Sequence, residues 1–367
     1  MRKWMMLIAF YGFMLSGCTI NVKEYVIKGN VVWGNPDVYL IVVNENGKFD
    51  TVQHVVPVNG KFEMKGNLPE PKIGFLIVKD GKGRIPLLLQ DTVLNVDIKT
   101  DNLSDVRNFV ARGGVLQNRK FALDRKEIEI YGDRDSVLAR FYKAEKEHDI
   151  FEKMHEMALL QTMDEMYDQE ENRFIQENRD NILGLSLVFY RYKYLNYERL
   201  KPKFDVLSEA MKNTPEGQLI AARYSMLSEV KIGAYAPNFK LPTMQGDSVH
   251  LYGKSAAVKI LDFWASWCGP CRKENPHLVE IFKKYRDKSL LMISISMDTN
   301  EKVWKEAVKT DGLEWLQACD LNGSDGPVAR AYRISGIPHI FVLDGNNKII
   351  GEGLRGKELD ELLAKYL

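Results

Sequence analysis

A chain of 367 residues exceeds what one hydrophobic core organises, so two or three structural units are expected. Its 45% hydrophobic residues are ordinary for a folded protein, and 51 Lys and Arg against 50 Asp and Glu leave a net charge of +1. That balance speaks against nucleic acid as a partner, which would demand a basic excess or stripe.

Arg2 and Lys3 precede an apolar run over residues 4–15, which meets Ser16, Gly17 and Cys18. The run is too short to span a bilayer comfortably, and a charged start, a short apolar stretch and small residues make an export signal. Leu15-Ser16-Gly17-Cys18 resembles the bacterial lipoprotein box. That resemblance implies a signal peptide over residues 1–18, cleavage that exposes Cys18, lipidation of its thiol and anchoring in the cell envelope, to the inner or the outer membrane. The alternative is an uncleaved signal anchor with an incidental cysteine. Either places the body of the chain outside the cytoplasm. No other stretch is apolar enough to cross a membrane.

With Cys18 set aside, Cys268, Cys271 and the distant Cys319 remain. Three thiols cannot form a structural disulfide framework. In an oxidising compartment a lone Cys-x-x-Cys therefore reads as a working redox pair, and Cys319 as a small buried hydrophobe.

Residues 22–112 have the period of strands, at 25–28, 38–43, 48–53, 61–64, 73–78, 85–89 and 93–98. Asn46-Gly47, Asn59-Gly60 and Asp80-Gly81 supply the turns. Short strands at this spacing predict a small antiparallel sandwich or barrel, structural or partner-docking in role. The run loosely resembles the small β-domain of unknown function that heads many thioredoxin-like lipoproteins of Bacteroidota.

Residues 113–230 change to long charged stretches with helical spacing and read as a helical connecting region. Phe141, Ala144, His148, Phe151 and Met154 would line one face. His148 and His155 lie seven apart, but no third ligand accompanies them, so no metal site is expected. Residues 178–184 and Pro215-Glu216-Gly217 look like helix ends.

From residue 231 to 367 strands and helices alternate, which predicts a mixed sheet with helices on both faces. A hairpin around Gln245-Gly246-Asp247 is followed by a buried strand over 257–264 and then Ala265-Ser266-Trp267-Cys268-Gly269-Pro270-Cys271-Arg272. Beyond lie a helix, a strand over 290–296, a helix near 304–308, and Gly336-Ile337-Pro338-His339 leading into a strand over 340–343. Two cysteines separated by two residues, where a strand gives way to a helix, bring their sulfurs within bridging distance. The helix N-terminus favours a thiolate at Cys268, making it the nucleophile. Pro270, in the first helical turn, costs little and stiffens the ring, leaving Cys271 the less exposed, resolving thiol.

Phe263-Trp264-Ala265-x-Trp267-Cys268-Gly269-Pro270-Cys271 is similar to thioredoxins, most of all to the exported, membrane-anchored TlpA and ResA group, over residues 233–367. Gly336-Ile337-Pro338 matches that family's cis-proline element, although His339 stands where threonine is common. The resemblance implies a thioredoxin-like α/β fold and a thiol-disulfide oxidoreductase acting on protein thiols and disulfides. The Cys268-Cys271 disulfide would be its only redox group, with electrons handed across the membrane by another protein. Asp262 stands at the position of the buried thioredoxin aspartate, and Glu274 where the TlpA and ResA group commonly has a glutamate. A carboxyl buried there would have its pKa raised and could take the Cys271 proton, whereas the plain alternative for Glu274 is a solvated helix-face charge. Trp267, Gly269, Pro270, Ile337 and Pro338 would form the surface on which a partner's extended chain lies, while Trp264 reads as core. Gly269-Pro270 is the thioredoxin dipeptide, which favours a reductant.

Two other classes fit the residues less well. A peroxidase of the peroxiredoxin type would place threonine or serine, and proline, where this chain has Ala265 and Leu261. A non-catalytic docking lipoprotein would have no need of both cysteines, Pro270, Asp262 and Pro338 together.

Overall fold

The computed structural model describes residues 23–147 and 149–367. The expected signal peptide, Cys18 and His148 lie outside the described residues. Two compact units emerge: one comprises the described residues up to Ile128 except Val43–Phe49, and the other comprises Val43–Phe49 and Glu129–Leu367.

The first unit is built on strands β1 (Lys23–Val31), β2 (Val38–Val43), β3 (Phe49–Val55), β4 (Lys61–Leu68), β5 (Lys72–Val78), β6 (Lys82–Gly83), β7 (Ile85–Leu89), β8 (Thr92–Ile98), β9 (Asn102–Leu103) and β10 (Phe109–Arg112). They form two four-stranded sheets, ordered β10-β8-β1-β4 and β3-β2-β5-β7, and a short β6-β9 pair. Alternation decides which side chains go inside: Phe62 and Met64 of β4 and Leu94, Val96 and Ile98 of β8 are buried between exposed neighbours. Strand β7 is buried throughout. At the turn before β4, Asn59 and Gly60 both take positive φ, 52° and 75°, the conformation for which asparagine and glycine are suited. Two pairings depart from the antiparallel expectation, since the short β6-β9 pair is parallel as well as β1-β8. Strands β1 and β8 run parallel, which no hairpin turn can announce because their connection passes through all the intervening strands.

The middle of the chain forms α1 (Gly114–Tyr131), α2 (Arg134–Glu147), α3 (Ile150–Glu177), α4 (Ile182–Arg191), α5 (Tyr197–Asp205), α6 (Glu209–Lys212) and α7 (Pro215–Ser228). The single face expected through 141–154 does not exist. Helix α2 ends at Glu147 and α3 starts afresh at Ile150 because the Asp149 side chain accepts the Glu152 N–H at 3.0 Å, an N-cap. Ala144 is buried as a result, whereas Phe151 is 89% exposed. Arg140 of α2 pairs with the buried Glu156 of α3 at 2.6 Å, and His155 is exposed.

The C-terminal part adds β11 (Lys240–Pro242), β12 (Ser248–His250), β13 (Val258–Trp264), α8 (Gly269–Tyr285), β14 (Leu290–Ser296), α9 (Glu301–Thr310), β15 (Leu316–Cys319), α10 (Pro327–Ala331), β16 (His339–Asp344), β17 (Ile349–Glu352) and α11 (Gly356–Tyr366). Its five-stranded sheet has the order β15-β14-β13-β16-β17, with β13 parallel to β14 and antiparallel to β16. This is the thioredoxin-like α/β architecture. The central strand β13 is buried at all seven positions, so its mainly apolar sequence, interrupted by Lys259 and Asp262, is what a strand covered on both faces requires. Trp264 and Cys319 are both core residues. Among the described residues, no helix is long and apolar enough to cross a membrane.

Candidate active site

Strand β13 delivers the chain to the start of α8, where Cys268 is the N-cap, with extended backbone at φ −82° and ψ 99°. Its Sγ accepts the N–H of Cys271 at 3.2 Å, one of the helix donors that has no carbonyl partner within the first turn. Gly269 and Pro270 occupy the first helical positions. A side chain added at Gly269 would meet nothing within 4 Å, and the missing N–H of Pro270 is one the helix would leave unpaired. Cys268 and Cys271 form a disulfide with Cα atoms 5.2 Å apart. Cys268 is 4% exposed and Cys271 1%. Trp267, beside them, is 68% exposed.

Polar braces hold the segment before the disulfide from two directions. Asp298, buried beyond the end of β14, accepts the Ser266 N–H at 2.9 Å and the Ser266 hydroxyl at 2.5 Å. Arg272, immediately after Cys271, donates Nη1 to the Ser266 carbonyl at 3.1 Å and makes a two-pronged contact with Asp311. Asn275 donates to the same Asp311 carboxylate at 2.6 Å. Bidentate arginine–carboxylate pairs fix geometry as well as contributing energy.

Asp262 lies on β13 beneath this loop and is 2% exposed. The Ser294 hydroxyl donates to its Oδ2 at 2.8 Å, while Trp315 Nε1 donates to the Ser294 oxygen at 2.9 Å. Burial pushes the Asp262 carboxyl up to about 7. The Ser294 hydrogen bond and the Arg355 charge pull it back, and the Glu274 charge adds to the rise. A carboxyl poised there exchanges protons near neutral pH.

Glu274 is not a freely solvated helix-face charge. Its side chain is 21% exposed, and Oε1 meets His277 Nδ1 at 3.0 Å and lies 3.4 Å from the Gly356 N–H. The Ile337-Pro338 peptide is cis. Ile337 packs on the core of this domain, Pro338 is buried, and its carbonyl accepts from Arg355 Nη2. His339 instead turns to the buried Glu352, Nε2 to Oε1 at 3.1 Å. Helix α7 steadies the approach to this loop, with Arg223 Nη2 donating to the Arg333 carbonyl at 3.1 Å and to Ser335 Oγ at 3.3 Å. Ala265 and Leu261, at the positions a peroxidase would use, are wholly buried.

Arg272, Asp298, His277 and Arg355 join the site without having stood out in the sequence. His277 had a local signal, three residues after Glu274 on one helix face. Asp298, Asp311 and Arg355 reach the site from distant segments and had none. Among the described residues, no group of three or more His, Cys, Asp or Glu is placed to hold a metal ion.

The family model described as the AhpC/TSA family matches residues 232–351, and one described as a domain of unknown function (DUF4369) matches residues 25–121. The chain is 31% identical over 144 residues to the thiol-disulfide oxidoreductase ResA of Bacillus cereus, an alignment covering 39% of this chain and 81% of the relative. It is 31% identical over 139 residues to ResA of Bacillus thuringiensis, covering 38% and 78%. Among solved structures, a thiol-disulfide oxidoreductase from Bacteroides fragilis is 32% identical, at a TM-score of 0.35 over 36% of this chain and 99% of that chain. Residues 232–351 contain both the Cys268-Cys271 disulfide and the cis proline, and the chain that carries them belongs to the ResA family of thiol-disulfide oxidoreductases.

Proposed function

We propose that this enzyme reduces disulfides of exported proteins while tethered to a membrane of the cell envelope through a lipid on Cys18, with the thioredoxin-like domain of residues 231–367 as its catalytic part. The β-domain of residues 22–112 and the helical region of 113–230 would then be carriers or docking modules for it. The observation that carries the reading is the Cys268-Cys271 disulfide at the N-terminus of α8, fed by a strand that holds the near-neutral Asp262 carboxyl.

In the reduced enzyme Cys268 Sγ carries the thiolate, because the α8 N-terminus offers it an N–H and the positive end of the helix dipole. The thiolate attacks one sulfur of a substrate disulfide, forming an enzyme–substrate disulfide and releasing the other substrate sulfur as a thiolate that takes a proton. Cys271 then gives its proton to Asp262, with Glu274 as the further acceptor, and attacks Cys268 Sγ. The second substrate thiol leaves, and the Cys268-Cys271 disulfide remains. Two electrons have passed from the enzyme dithiol to the substrate, which ends as two thiols.

Trp267, Gly269, Pro270, Ile337 and Pro338 would bind the substrate chain by strand-like pairing. The Gly269-Pro270 dipeptide supports a reductant near the roughly −270 mV of thioredoxin. Sustained turnover in an oxidising compartment then needs a membrane protein that supplies electrons. Insulin reduction tests the activity: the reduced protein should precipitate the insulin B chain in the presence of dithiothreitol. Precipitation no faster than with dithiothreitol alone would defeat the reading.

A further inference from the structure

A chain of three polar side chains leads outward from Glu274, and the disulfide chemistry described above uses neither His277 nor Asp360. His277, one turn further along α8, places Nδ1 3.0 Å from Glu274 Oε1. Its other ring nitrogen, Nε2, lies 3.2 and 3.3 Å from the two oxygens of Asp360 on α11. Exposure rises along the chain, from Asp262 at 2% through Glu274 and His277 at 21% each to Asp360 at 45%. Both ring nitrogens are thus engaged, one toward the site and one toward solvent. From this arrangement we infer that His277 is the positioning residue that carries protons between Glu274 and bulk water through Asp360 during resolution of the enzyme–substrate disulfide.

The inference rests on the exchange reaction proposed above and adds the route by which its proton leaves. Cys271 cannot attack until its proton has gone, and the next turnover cannot begin while that proton stays beneath the disulfide. A neutral imidazole that donates Nε2–H to Asp360 accepts at Nδ1 from a protonated Glu274, then releases the Nε2 proton to Asp360 or water. No electrons move in this step, and one proton enters as one leaves. Glu274 is tied to the buried acid because its charge is one of the influences that raise the Asp262 carboxyl.

The groups facing His277 are Glu274 from its own helix and Asp360 from α11. Burial lowers the ring's proton affinity, but the Glu274 hydrogen bond and charge together with Asp360 outweigh it, so the net effect is upward from 6.5. An imidazole held by hydrogen bonds at both ring nitrogens can take a proton on one side and release one on the other, which a relay requires.

The test is single-turnover oxidation of the reduced full chain by a peptide disulfide, at peptide concentrations where the rate no longer depends on peptide. His277→Gln keeps a side-chain amide that can donate to Glu274 but cannot carry a proton. It should resolve about tenfold more slowly at pH 6–7, a smaller loss than the roughly hundredfold or more of a group acting directly. Imidazole added to the buffer should restore the rate in proportion to its concentration, while alkylation of Cys268 proceeds at the wild-type rate. Asp360→Asn, at the exposed end, should slow resolution by about twofold to threefold without disturbing the fold, and supplies the test if His277→Gln does not fold. Wild-type resolution rates in both variants between pH 5.5 and 8.5, or a loss that imidazole leaves unchanged, would overturn the relay while leaving thiol-disulfide exchange intact. Absence of exchange in the wild-type protein would overturn the underlying reaction itself.

Discussion

Asp262 makes the protein's stability depend on pH in a direction opposite to that of most carboxylates. Its carboxyl is raised from 3.8 to about 7 in the folded state because burial opposes ionisation. Between those two values the folded chain holds a proton that the unfolded chain has lost, so stability falls as pH rises from about 4 to about 7 and levels off above. A tenfold change in proton affinity corresponds to about 1.4 kcal/mol, so the rise from 3.8 to about 7 makes ionised Asp262 cost about 4 kcal/mol at pH 8. Asp262→Asn mimics the protonated acid in size and can still accept from Ser294. In urea unfolding of the oxidised protein, followed by tryptophan fluorescence, the variant should exceed wild type by about 4 kcal/mol at pH 8. The two should agree near pH 4, and taking the difference between the proteins removes the contribution of other titrating groups. A difference that is the same at pH 4 and pH 8 would refute the account of Asp262 as a buried acid that is neutral below pH 7.

Alkylation of the reduced protein should titrate Cys268 with a midpoint below the roughly 8.5 of a free thiol, and a midpoint above it would remove Cys268 as nucleophile. Arg272→Met should cost about 2 kcal/mol in urea unfolding, because Asp311 keeps only Asn275 and the Ser266 carbonyl loses its brace; a loss below about 0.5 kcal/mol would show that the brace contributes little. Cys18→Ser should release an exported, soluble protein with its reductase activity intact. Continued membrane association would argue for a signal anchor instead.

Local pattern announced most of the elements and both cysteines. Alternation located β4 and β8, a mainly apolar run located β13, and the strand-to-helix junction placed Cys268 at a helix start. What escaped was set by partners distant in the chain. The parallel pairing of β1 with β8 leaves no turn signal, and the short edge strand Leu316–Cys319 is specified by its pairing with β14 rather than by its own residues. The break at Asp149 was legible in principle, since an aspartate three residues before a glutamate is a helix-start signal, but the apolar spacing across it pointed the other way. In the site, the burial of Asp262 followed from the apolar strand around it. The environment of Glu274 did not, because Asp360 and Gly356 lie more than eighty residues further along the chain.

The division of labour between the two cysteines is tested most directly by stopping the reaction halfway. Cys271→Ala protein expressed in its own host, with a brief oxidant pulse before quenching by acid, should accumulate covalent adducts on non-reducing gels. These adducts should collapse on adding thiol and disappear when Cys268 is also replaced. Mass spectrometry of the adducts would name the substrates. Adducts that fail to form after the pulse, or that persist without Cys268, would contradict the assignment of Cys268 as the attacking sulfur and Cys271 as the one that releases the product.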